Sequence, residues 1–144
     1  MSGFELNEWI ALPPKAVFDF VTDANNASRI VSSVKSMVML TDGPIGEGTR
    51  YRETRLMNGK EHEAELEVVA FQPHEKYAVK NETQGFETTY TYTLASEKNG
   101  TRINLVCNVK AGGLKKVTVP MVVSILKKED GDHLQRLKTA IEKS

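Results

Sequence analysis

The feature that most constrains this chain is a pair of Asn-Gly steps set inside long alternating stretches, Asn58-Gly59 and Asn99-Gly100. Both central residues of a two-residue type I′ hairpin need positive φ, and asparagine followed by glycine meets that need at little steric cost. A hairpin at Asn58-Gly59 sets Arg55 opposite His62, Glu53 opposite Ala64 and Tyr51 opposite Leu66. Alternation reaches the same arrangement independently. Glu61, Glu63, Glu65 and Glu67 share one face, so His62, Ala64, Leu66 and Val68 share the inward one. At Asn99-Gly100 the same reading pairs Leu94 with Leu105, Tyr92 with Cys107 and Tyr90 with Val109, leaving Thr89, Thr91, Thr93, Arg102 and Asn104 outside. A weaker turn signal, Gln84-Gly85, pairs Tyr77 with Tyr92 and Val79 with Tyr90. The three hairpins agree on one inner face, which predicts a meander of strands from about Val34 to Lys110.

The flanks read differently. Phe4, Leu6 and Ile10 alternate with polar residues as a half-buried strand does, and Trp9 breaks the pattern. Pro13 and Pro14 open a short helix whose apolar side is Val17, Phe18, Phe20 and Val21, and a second short helix follows Asp23 over Ala24 to Val31. After Gly112-Gly113, the residues Leu114, Val117, Met121, Ile125, Leu134, Leu137 and Ile141 recur at approximate helical spacing. They predict a long core-facing helix, bent or loosened at Pro120 and Gly131, with Lys127, Lys128, Glu129, Asp130 and Asp132 on an exposed charged side. No internal repeat or linker interrupts the chain.

With 144 residues, the chain is expected to form one domain over residues 1–144, burying roughly two-thirds of its unfolded surface without disulfides. Lysine plus arginine equals aspartate plus glutamate at 19 each, so no net field draws the chain to nucleic acid or to an anionic membrane surface. The single cysteine, Cys107, excludes an internal disulfide, and the first residues lack the regions of a secretory signal, so a cytoplasmic location is expected. The longest apolar stretch, Val117 to Leu126, is about half of what crosses a bilayer, and no membrane span is expected. Without secretion, the sequons at Asn26, Asn81 and Asn99 carry no glycosylation consequence.

The order of strand, two short helices, meander and long C-terminal helix resembles the α+β helix-grip fold of the SRPBCC, or START-like, superfamily, which includes birch-pollen-allergen-like and polyketide cyclase/dehydrase-like proteins. Three segments look like that family's recurring ones: Pro13-Pro14 with Val17 to Asp23, Leu40 to Pro44 with Gly46 and Gly48 to Glu53, and Thr89 to Thr93. One feature departs: many relatives carry a tryptophan where this chain has Arg29-Ile30-Val31-Ser32.

The resemblance implies a curved antiparallel sheet wrapped around the last helix, with a cavity between them. Its candidate lining is then the inner face derived above together with the helix: Tyr51, Glu53, Arg55, His62, Leu66, Tyr77, Val79, Tyr90, Tyr92, Cys107, Met121 and Ile125. The competing reading is a filled core, against which the inward tyrosines weigh, because a dry core partners phenols poorly. Glu53, Arg55 and His62 are the polar group with chemical potential. They offer either a general acid or base, with Tyr90 or Tyr92 polarising a carbonyl, or an internal ion pair that compensates its own burial. Cys107 reads as a small buried hydrophobe.

His62, His74 and His133 lack neighbours at metal-ligand spacing, and no metal or other cofactor is expected. The Gly43-Pro44-Ile45-Gly46-Glu47-Gly48 run leads into a strand without the lysine and helix of a phosphate loop, so it reads as a turn. Arg50, Arg52 and Lys60 read as a solvated face. The expected function is binding or carriage of a small hydrophobic ligand, lipid or polyketide-like. The alternatives are a cyclase or dehydratase working with the inner polar groups, and a protein-interaction module like the heat-shock ATPase activators that share the fold.

Overall fold

A computed structural model describes residues 2–143. Seven strands form one antiparallel sheet: β1 (Gly3–Ile10), β2 (Val34–Met39), β3 (Arg50–Met57), β4 (Lys60–Gln72), β5 (Lys76–Thr83), β6 (Phe86–Glu97) and β7 (Gly100–Ala111), in the order β1-β7-β6-β5-β4-β3-β2. Between β1 and β2 run helix α1 (Pro14–Thr22), a 3-10 turn (Ala24–Asn26) and the short α2 (Ala27–Ile30). After β7 come a 3-10 stretch (Gly113–Thr118), α3 (Val119–Asp130) and α4 (His133–Glu142). The curved sheet wraps around this C-terminal helical segment.

Two of the three expected hairpins have the expected register. Arg55 pairs with His62, Glu53 with Ala64 and Tyr51 with Leu66 across Asn58 (φ 52) and Gly59 (φ 75). Tyr77 pairs with Tyr92 and Val79 with Tyr90 across Gln84 (φ 53) and Gly85 (φ 84). The third hairpin differs. Leu94 stands opposite Ile103, Tyr92 opposite Leu105 and Tyr90 opposite Cys107, so β7 is displaced by two residues from the Asn99-Gly100 reading while every inner residue keeps its face. The loop is Lys98-Asn99, which carries the positive φ values of 49 and 63, and Gly100 is already the first residue of β7.

Gly100 serves close approach rather than turn geometry. A Cβ there would lie 2.4 Å from the Ile10 carbonyl oxygen and 2.6 Å from Cζ2 of Trp9. The apparent break at Trp9 has the same origin, since its ring covers Gly100 and its indole N–H donates to the Glu97 carbonyl at 2.8 Å. Gly100→Ala is therefore expected to destabilise by about 1–3 kcal/mol, because the contact includes backbone that has nowhere to move. Asn99→Gly, at the position holding the left-handed conformation, should change stability by less than about 1 kcal/mol. Urea titration of both variants checks the distinction.

The C-terminal helical segment is interrupted at Gly131-Asp132, where loosening was expected, but Pro120 lies in the first turn of α3 and bends nothing. Its apolar register also differs from the sequence reading. Leu114, Val117, Met121 and Ile125 are 92, 80, 59 and 53% exposed. The stripe facing the sheet is Val119, Val122, Val123 and Leu126, which pack with Phe4, Cys107 and Val109. The two stripes interleave on one apolar helix, so spacing alone does not choose between them. From α4, Leu134, Leu137 and Ile141 enter the main core beside Ile10, Val17, Phe18, Ile103 and Leu105.

Candidate functional site

A cavity of about 690 Å³ opens between the concave side of the sheet and the helices. Ten of the twelve residues expected to line it do so: Tyr51, Glu53 and Arg55 from β3, His62 and Leu66 from β4, Tyr77 and Val79 from β5, Tyr90 and Tyr92 from β6, and Ile125 from α3. Two are elsewhere. Met121 points to solvent on the outer stripe of α3, where the register correction puts it. Cys107 lies opposite Tyr90 in β7, fully buried in the smaller apolar cluster, where burial pushes its thiol up to about 11. It packs as a small hydrophobe and has little thiolate to offer at neutral pH.

The polar wall centres on Arg55, and cross-strand pairing is not what organises it. His62 faces Arg55 across the hairpin but is exposed at the end of the sheet. The guanidinium turns inward. Its Nε donates to Glu53 Oε1 at 2.7 Å, and Nη1 donates to Asp130 Oδ1 at 3.2 Å and to Ser33 Oγ at 3.4 Å. The Tyr90 hydroxyl donates to the other Asp130 oxygen at 2.5 Å. Burial opposes the positive charge of Arg55, but the two carboxylates outweigh it and hold the guanidinium firmly protonated. Burial, reinforced by the charge of Asp130, pushes the Tyr90 phenol well above its ordinary value.

A second chain of contacts crosses the floor. Tyr77 stacks on Tyr92 with ring centroids 6.0 Å apart, and the Tyr92 hydroxyl is hydrogen-bonded to Nε2 of His133. Burial lowers His133 to about 4, so the imidazole is neutral at pH 7, and it raises Tyr92 well above its ordinary value. The Tyr51 hydroxyl faces that of Tyr77 without reaching hydrogen-bond geometry, and His133 Nδ1 is likewise buried without a partner. Among the described residues no group of three or more histidine, cysteine, aspartate or glutamate side chains is placed to hold a metal ion.

Asp130 and His133 were not expected at the site. Asp130 falls within a run of charges that reads as solvated, yet it is 1% exposed. A signal was available once the inward stripe starts at Val119. The spacing 119, 122, 126, 130, 133, 137 carries both residues onto the face that packs against the sheet. Chemically, the wall holds two carboxylates bound to one guanidinium, phenols kept protonated by burial and a neutral imidazole engaged by Tyr92. It offers hydrogen bonds of fixed direction on a surface that also carries Leu66, Val79, Ile125 and Leu126.

Comparison of the whole fold with solved structures finds close likenesses. The crystal structure of Ara h 8.0201 superposes with a TM-score of 0.78 at 16% identity, over 98% of this chain and 97% of that one. A START superfamily protein from Mycobacterium smegmatis gives 0.77 at 15% identity, over 97% of each chain. The di-domain ARO/CYC BexL of the BE-7585A biosynthetic pathway gives 0.79 at 17% identity, over 96% of this chain and 46% of that one. At these identities the likeness is one of fold. No curated protein matches the chain by sequence. A sequence model of one family, described as polyketide cyclase / dehydrase and lipid transport, matches residues 4–142, and the chain belongs to that family.

Proposed function

We propose that this protein binds and carries a small hydrophobic molecule, lipid or polyketide-like, in the cavity beneath α3. The observation that carries the reading is the cavity itself. At about 690 Å³ it lies within the range of small-molecule pockets, and its lining combines apolar side chains such as Ile30, Leu66, Val79 and Leu126 with the polar group around Arg55 and further polar residues including His62, Asn81 and Glu129. A ligand lying along Leu66, Val79, Tyr77 and Tyr92 would direct its polar end at Glu53, Arg55 and Tyr90. With Cys107 a free buried thiol, a reducing compartment such as the cytoplasm suits the protein.

A cyclase or dehydratase reading draws support from the family's description. It needs a group free to take up or give a proton at neutral pH. Glu53 and Asp130 are ion-paired to Arg55, Tyr90 and Tyr92 are pushed well above their ordinary values, and His62 stands apart from them, exposed at the end of the hairpin, which favours holding a ligand over transforming it.

Native mass spectrometry of the freshly purified protein, followed by solvent extraction, tests the carrier reading. A mass increment that disappears on extraction and yields a hydrophobic compound is expected. An apo mass that stays unchanged after exposure to lipids and polyketides would sink it.

A further inference from the structure

Ile125 apart, the outer stripe of α3 and the turn before it has no function in the carrier reading. Leu114, Val117, Met121 and Ile125 all stand in solvent along one side of a 3-10 stretch and helix whose other side is already packed on the sheet. A helix apolar on two faces has a second face to cover, and a contiguous exposed patch of large aliphatic side chains marks an interaction surface.

The charge around the stripe says what covers it. Residues 114–128 contain Lys115, Lys116, Lys127 and Lys128 and no carboxylate, in a chain whose charges balance at 19 each only with those four lysines counted. The lysines stand at both ends of the apolar stretch. That is the layout of a segment lying in a lipid interface, with aliphatic side chains entering the acyl boundary and lysine stems reaching back to anionic headgroups. A second copy of the chain is a poor occupant, because pairing the two stripes face to face would bring the lysine clusters together.

The stripe also adjoins the cavity. Ile125 belongs to both, Val122 and Leu126 line the cavity from the same helix, and Lys115 reaches the Gln84 carbonyl beside Phe86 at the cavity's edge. We propose that α3 and the turn preceding it dock this protein on an anionic lipid surface, with the cavity's helical wall against the bilayer. The docking does not depend on what the cavity holds, so its test is separate from that of the carrier reading.

Co-sedimentation with vesicles of phosphatidylcholine alone and of phosphatidylcholine mixed with phosphatidylserine provides the test, at low and at physiological salt. Binding to the mixed vesicles, weakened by salt, is expected. Lys116→Glu with Lys128→Glu should weaken it roughly 100-fold, since each lysine near an anionic surface contributes a factor of about five and reversal adds repulsion. Leu114→Asp with Val117→Asp should abolish it. All four positions are exposed, so thermal melting of each variant should match the parent. Failure to bind mixed vesicles, equal binding to phosphatidylcholine alone, or variants that bind like the parent would overturn the proposal. So would concentration-dependent dimerisation in sedimentation velocity that Leu114→Asp with Val117→Asp removes, because the stripe would then belong to a second copy.

Discussion

Arg55→Met is expected to destabilise the protein by about 3–5 kcal/mol in urea titration near neutral pH, far more than the loss of a surface ion pair. The reason is what it leaves behind. Glu53 and Asp130, whose side chains are 10 and 0% exposed, would stay in the interior without the guanidinium that compensates them. A further readout separates this account from a simple loss of packing. Adding Glu53→Gln and Asp130→Asn to Arg55→Met should recover much of the loss, since amides remove the stranded charge. A cost below about 1 kcal/mol would mean that the wall behaves as a solvated pair.

His133 supplies the second large effect, through pH. Burial takes its pKa from 6.5 to about 4, so the unfolded chain binds a proton over that interval that the folded protein does not. Stability should therefore fall as the pH drops from about 6.5 towards about 4, by up to about 3 kcal/mol from this group alone, and this contribution should level off below the folded value. Unfolding free energies measured across that interval for the parent and for His133→Gln isolate it from the carboxylates, which titrate in both. The variant keeps a partner for the Tyr92 hydroxyl and should show the shallower slope. Identical slopes would mean that the imidazole is hydrated and titrates normally.

The sheet was readable where a local signal names both partners. Asn58-Gly59 and Gln84-Gly85 state loop and register together, and the glutamate row of β4 confirms the face. The β6–β7 register was not readable, because Gly100 is a glycine for a tertiary reason, the overlying Trp9 and Ile10, and its pairing with Asn99 imitates a turn signal. Most of the cavity lining followed from strand parity, since a register error of two leaves every side chain on its face. The helix was harder. Both of its stripes are aliphatic, so the choice of Leu114, Val117, Met121 and Ile125 over Val119, Val122, Val123 and Leu126 misplaced Met121 and hid Asp130 and His133. A carboxylate reads as solvated until its partner is known, and the partner of Asp130 lies 75 residues away, at Arg55.

The joining of β1 to β7, the first strand to the last, has a consequence for how the chain is made. Every other neighbouring pair in the sheet is consecutive in sequence, but Glu5 meets Val106 and Leu6 meets Leu105. During synthesis β1 leaves the ribosome first and waits for its partner until about a hundred more residues have followed, over several seconds at ordinary elongation rates. Through that interval Phe4, Leu6 and Ile10 have no strand to pair with, while the meander from β2 to β7 can close one short hairpin after another. The order of assembly is thus set by loop closure, local pairs early and the longest loop late. Once β7 is made, its outer edge stays open until β1 closes that longest loop and covers it.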